Sequence, residues 1–249
     1  MIISSTNSVE NKNSKFIVYA PSGHGKTWQV QTLDKPIILS YESGLDSVGD
    51  KDIAFVDMTK SDKGELLSVE ARIKKIGEVF KELQKEEYKV KFKTIFIDSL
   101  TEIAELIYQS AKLDAEKIAS ETGKNPDGFK IWDTYISEIK KLVKAFRDIP
   151  HYDVVFVCLD HEYENTDTGE REFTLALPGN RAKKEIPGLI DNVFYLEKRV
   201  DKDGKEARRI LTNRTAKIFA KNRVPATIKL ELYEEANLGK LIKKLRGEK

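Results

Sequence analysis

The stretch "VYAPSGHGKTW", Val18 to Trp28, leaves an apolar strand and then gathers a proline, two glycines, a lysine and a threonine. Two readings compete: a turn with no special task, or a cradle for phosphate. The pattern is [AG]-x-x-x-x-G-K-[ST], running Ala20, Pro21, Ser22, Gly23, His24, Gly25, Lys26, Thr27, with Ala20 where the strict form has glycine. In such a loop the backbone N–H groups wrap a phosphate, and Gly23 and Gly25 permit the unusual backbone angles. A helix opening near Gly25 would turn its positive end toward the anion. Lys26 would reach the β- and γ-phosphates, and the Thr27 hydroxyl would ligate Mg²⁺. Ala20 to Thr27, with the Trp28 that follows, are therefore the candidate residues for binding ATP. His24 reads as a variable spacer.

Outward from this loop the chain alternates strand and helix. Five continuous apolar runs, "KFIVYA" (15–20), "PIILSY" (36–41), "DIAFVD" (52–57), "KTIFIDS" (93–99) and "YDVVFVCLD" (152–160), predict buried parallel strands covered on both faces. Helical periodicity lies over 63–86, 100–120 and "IWDTYISEIKKLVKAF", in which Ile131, Tyr135, Ile139, Leu142 and Phe146 share a face. After Asp160 the pattern becomes half-polar. The runs 192–200, 207–214 and 216–221, separated by turn signals, predict antiparallel strands, and "ALPGNRAKKEIPGL" predicts a loop. The expected fold is α/β, a mostly parallel, doubly wound sheet extended by C-terminal antiparallel strands. One domain over 1–249 is expected, with residues 1–14 flexible and 237–249 a short basic helix or tail.

Composition narrows the class. Lys and Arg total 43 and Asp and Glu 41, for a net charge of +2, so a nucleic-acid site would have to be a local patch. The single cysteine, Cys158, lies in an apolar run, excludes an internal disulfide and fits a reducing compartment. The N-terminus lacks the signature of a signal peptide and no run reaches a membrane span, so a soluble cytoplasmic protein with no membrane contact is expected.

A phosphate loop that uses magnesium needs a carboxylate on a neighbouring strand. "TIFIDS" ends in Asp98, the form of a Walker B strand, and Asp98 would hold Mg²⁺ together with Thr27. The alternative is that Asp98 caps the helix of "SLTEIAEL". Hydrolysis also needs a group that activates water. Glu42 follows the second strand in "ILSYESGLD", on the carboxyl edge where ligands sit in open α/β sheets, and is the candidate general base.

These blocks carry a resemblance. "ILSYESGLD" and "TIFIDS" resemble the catalytic-glutamate and Walker B strands of RecA-type recombinases, and "AKNRVPA" (220–226) resembles their segment of paired basic residues. The match spans most of residues 15–230. The compact form, with "FKIWDTY" before the fifth strand, is similar to phage-encoded RecA-like ATPases that include single-strand annealing proteins. The resemblance implies an oligomeric, ring or filament, ATP-hydrolysing protein that binds single-stranded DNA in recombination, with a single-strand-binding protein as a further partner. It also implies that Lys221 and Arg223 reach the ATP of a neighbouring subunit.

Two departures stand out. Where the family's fifth strand carries a polar sensor, this chain has Asp160 and His161, making His161 the candidate γ-phosphate sensor. The region matching the DNA-binding loops holds five acids, Asp167 among them, before Arg181, Lys183 and Lys184. Tyr163 and Phe173 are candidates to stack bases, with ordinary sheet residues as the alternative. Lys124, Phe129 and Lys130 form a second candidate loop. A P-loop small-molecule or nucleotide kinase, with "GNRAKKEIPG" as its lid, and a non-hydrolysing ATP-gated loader or scaffold are the competing functions.

Overall fold

Alternation decides which side of the sheet each side chain meets. In strand β1 (Lys15–Ala20), Ile17 and Tyr19 enter one apolar cluster while Phe16, Val18 and Ala20 enter a second. The same division holds in β4 (Thr94–Asp98), where Ile95 and Ile97 face the first cluster and Phe96 the second. Continuous apolar runs are what two covered faces require. The computed structural model describes residues 13–42, 44–164, 169–200 and 202–248. Most of the segment expected to be flexible, and Asp167, lie outside the described residues.

The other strands are β2 (Pro36–Ser40), β3 (Ala54–Asp57), β5 (Asp153–Glu164), β6 (Arg171–Leu175), β7 (Asn192–Val200), β8 (Glu206–Leu211) and β9 (Tyr233–Glu235). Among the described residues they line up as β3-β2-β4-β5-β1-β7-β8-β9, with β6 pairing β5. The pairs from β3 through β7 are parallel, and β6, β8 and β9 pair antiparallel with their neighbours. The expected α/β class therefore holds.

Helices α1 (Val69–Glu82), α3 (Leu100–Thr122) and α4 (Gly128–Asp148) cover the first face. A short helix, α2 (Glu86–Lys91), follows α1 and packs the partly buried Tyr88 against the same cluster. The second face is closed by a 3-10 turn over Thr27–Thr32 and by α6 (Leu238–Leu245), whose Leu238, Leu241 and Ile242 are buried. Each such side chain contributes about 1.5–3 kcal/mol. The C-terminal segment is thus core structure.

The structure corrects several sequence expectations. "GNRAKKEIPGL" is a helix, α5 (Asn180–Leu189), docked on α4 through Arg181–Asp133 at 2.9 Å and Lys140–Glu185 at 2.6 Å. Buried Ala182 and Ile186 give it an apolar face that Gly and Pro at its margins concealed. The run 216–221 makes only isolated bridges, Phe173↔Ile218 and Val193↔Lys221, because it spans from β6 to β7 and pairs with neither for long. Strand β5 continues past Asp160 to Glu164 as one arm of a hairpin with β6. The third apolar run is an edge strand with Phe55 exposed.

Candidate nucleotide site

The loop that follows β1 is built from positive-φ glycines. Gly23 (φ 76°) and Gly25 (φ 88°) adopt the left-handed backbone that favours glycine and lets successive N–H groups converge on an anion. The helix expected after the loop is a six-residue 3-10 turn, Thr27–Thr32. "LDKP" stops it, since Pro36 already begins β2. With so short a helix the backbone nest, rather than a helix dipole, carries the attraction for an anion. Lys26 Nζ donates to the carbonyls of Ala20 and Pro21, each at 2.8 Å, which folds the ammonium over its own loop. Burial holds this amine below the usual lysine range, and Asp98, Asp160 and Glu42 oppose that shift.

Asp98 ends β4, two strands from β1 with β5 between them. The Thr27 hydroxyl donates to its Oδ2 at 2.6 Å, so loop and strand end meet across the intervening strand. Burial pushes the Asp98 carboxyl up to about 6, while Thr27 and Lys26 pull against the shift and Glu42 adds to it. The capping alternative falls to the next residue. Ser99 is the N-cap of α3, its hydroxyl oxygen accepting from the Glu102 N–H at 3.3 Å, so Asp98 faces the loop. No group of three or more His, Cys, Asp or Glu among the described residues is placed to hold a metal. Two adjacent hard oxygen donors suit Mg²⁺, which commonly takes one or two protein ligands and completes its shell with water and substrate phosphate.

Glu42 follows β2, whose Ser40 lies beside Asp98 in the register, and the Ser40 hydroxyl donates to the Glu42 carbonyl at 2.8 Å. The charge of Glu42 is felt at Asp98, at Lys26 and at Glu102, whose carboxyl is raised by partial burial and then by Glu42. Leu159 of β5 pairs with Ala20, which sets Asp160 and His161 just beyond the start of the loop. Burial and nearby Lys183 lower the His161 imidazole. Trp28, on the 3-10 turn, is half exposed beside the loop.

The other sequence candidates lie elsewhere. Lys221 bridges Val193, which is level with Ile17, three residues or about 10 Å back along β1 from Ala20. Arg223 pairs with Asp191 at 3.2 Å at this opposite edge of the sheet. Lys124, Phe129 and Lys130 flank the turn between α3 and α4, where Phe129 is 88% exposed. Tyr163 donates to Glu172 at 3.0 Å, and Phe173 is half-buried with its backbone bonded to Lys217 and Phe219. Arg181 is ion-paired, and Lys184 is exposed on α5.

Sequence reasoning missed three residues. Glu102 adds a carboxyl near Glu42, and Arg72 Nη2 donates to the Tyr41 carbonyl at 3.4 Å, one residue before Glu42. Arg208 of β8 donates from Nε to the His24 carbonyl at 3.2 Å. Its strand parity was legible: Arg208 shares a face with Ile210, on the side where the 3-10 turn packs.

Among known structures, the chain is similar to an ATPase from the type III secretion system of pathogenic bacteria. Identity is 14% over 74% of this chain, with a TM-score of 0.43, and the match spans 52% of that chain, about half its length. It is also similar to the RadB recombinase, at 14% identity over 80% of this chain and 87% of that one, with a TM-score of 0.42. No curated protein matches. A family model described as an AAA domain matches residues 12–224. The chain belongs to that AAA domain family and is an AAA-type P-loop ATPase.

Proposed function

We propose that this chain acts as one RecA-like ATPase domain that binds single-stranded DNA and promotes annealing or recombination as a homo-oligomer, in a phage-encoded setting. The observation that carries the nucleotide half is the 2.6 Å contact between Thr27 and Asp98, which joins loop and strand end into one oxygen-lined corner beside Lys26. In this reading the loop N–H groups and Lys26 bind the ATP phosphates, Glu42 orients the attacking water and accepts its proton, and Thr27 and Asp98 hold Mg²⁺. When bound, Mg²⁺ neutralises charge on the phosphate oxygens. His161, next to Asp160 at the end of the parallel part of β5, senses the γ-phosphate. Lys221 and Arg223 act in trans, completing the charge clamp on a neighbour's nucleotide.

The DNA half rests on Phe129. An aromatic ring left 88% exposed between Lys124 and Lys130 serves no core and offers a stacking platform beside cations. Lys183, Lys184 and Arg181 on α5, with Tyr163 and Phe173 on the hairpin, are the second candidate contact. The ATPase reading is favoured over a kinase by the packing of the segment read as a lid, a helix joined to α4 by Arg181–Asp133 and Lys140–Glu185. The test is ATP turnover with and without single-stranded DNA, alongside anisotropy of labelled DNA in rising salt. DNA is expected to accelerate turnover, and Phe129→Ala is expected to weaken binding by about 1–3 kcal/mol. Turnover indifferent to DNA, with binding no tighter than that of a neutral control protein, would retire the recombination reading.

A further inference from the structure

Two strands that take no part in the phosphate-binding motif nevertheless grip its most central residue. Arg208 of β8 donates from Nε to the His24 carbonyl at 3.2 Å, and His24 Nδ1 approaches the Leu196 carbonyl of β7 at 3.4 Å. The guanidinium lies directly against Gly25: a Cβ at that position would sit 3.1 Å from Arg208 Nε and 3.6 Å from its Cδ and Cζ. Glycine at 25 suits the positive φ, and a Cβ there would have to push Arg208 aside by a few tenths of an ångström. The carboxylate of Glu206 lies 3.5 Å from Arg208 Nη2 and steadies the far end of the side chain.

The consequence follows from peptide geometry. The His24–Gly25 bond is trans, so the carbonyl of His24 and the N–H of Gly25 point in opposite directions from one rigid plane. Whatever fixes one aims the other. We propose that Arg208 is a positioning residue for the phosphate loop: by holding the His24 carbonyl toward β8, it points the Gly25 N–H away from the strand and into the cradle. This rests on the reading of residues 20–27 as the nucleotide site. Preorganised donors stabilise charge without reorganising when it arrives, so the contribution of Arg208 is to orient a donor, with no contact to phosphate required. The role belongs to register rather than motif, since Arg208 reaches the loop only because β8 pairs with β7, with Lys198 opposite Arg208, and β7 with β1.

The test is the affinity of Arg208→Ala and Arg208→Lys for ATP, ADP and AMP with Mg²⁺, by calorimetry, together with the ¹⁵N–¹H shift of the Gly25 amide. Arg208→Ala is expected to weaken ATP and ADP alike by about fivefold to tenfold, the worth of one oriented hydrogen bond. AMP should be unaffected and the Gly25 amide resonance should move. Lysine, which can still donate to the carbonyl, should recover much of the loss. Unchanged ATP and ADP affinity in Arg208→Ala overturns the proposal. So does a loss confined to ATP, which would make Arg208 a direct cation for the terminal phosphate, or a loss that extends to AMP. Wild-type protein that binds none of the three nucleotides would remove the site itself, a failure distinct from these.

Discussion

Asp98 and Ser99 divide two tasks between adjacent side chains. Ser99 caps α3, so the Asp98 carboxylate is left to meet Thr27. Among the described residues the Glu42 carboxylate has no such structural duty: its carbonyl accepts from Ser40 while its exposed side chain adds negative charge near Asp98 and Lys26. Glu42→Gln, which keeps size and removes the base, should therefore lower turnover by about 10²–10⁴-fold. ATP affinity should stay close to that of the native chain. Single-turnover kinetics check this, and an unchanged rate would move the base elsewhere, with Glu102 the next acid to examine. The loop, Asp98 and Glu42 were legible because each is a local pattern at the end of an apolar strand. Arg208, Glu102 and Arg72 were not, because their place at the site depends on strand register and on helices that sequence alone does not dock.

At the scale of elements, the loop leads into a 3-10 turn only six residues long. It is held by α6. Leu238 N–H donates to Gln29 Oε1 and Gly239 N–H to Thr32 Oγ1, each at 3.3 Å, so the last helix clamps the first turn. A Cβ on Gly239 would lie 2.0 Å from the Thr32 carbonyl oxygen, which is rigid backbone. Gly239→Ala should cost about 1–3 kcal/mol of stability and, by shifting the turn, weaken nucleotide binding as well. Thermal melts with and without ATP read both effects, and a melt unchanged from wild type would show that the helix does not clamp the turn. The basic face of α6 was readable in "NLGKLIKKL". Its role was not, because the surface it covers comes from residues more than 200 positions earlier. Helix α5 was hidden for a related reason: Gly179 and Pro187 signal a loop locally, yet Trp132 packs against Gly179 and the buried Ala182 and Ile186 seat the segment on the core, with ion pairs to α4 at its surface.

Across the whole molecule, the parallel sheet separates two sets of cations. Lys26 stands at the carboxyl ends of the strands, and Lys221 and Arg223 stand at the other edge, beside Val193 and Asp191 at the start of β7. If they serve a neighbouring subunit, defects in the two sets should complement. A mixture of Lys26→Ala and Arg223→Ala chains, each inactive alone, should regain part of the wild-type ATPase through hybrid interfaces, since cations supplied in trans can carry several orders of magnitude in rate. A mixture that stays inactive while still assembling would confine each chain to its own residues. All of this presupposes a triphosphate seated between Gly23 and Thr27. Calorimetric titration of ATP, with and without Mg²⁺, into the wild-type chain and into Lys26→Ala measures that most directly. Mg²⁺-dependent binding is expected, weakened by Lys26→Ala by about 10- to 100-fold, the worth of a charged hydrogen bond. ATP affinity that is absent, or that survives loss of the lysine intact, would contradict it.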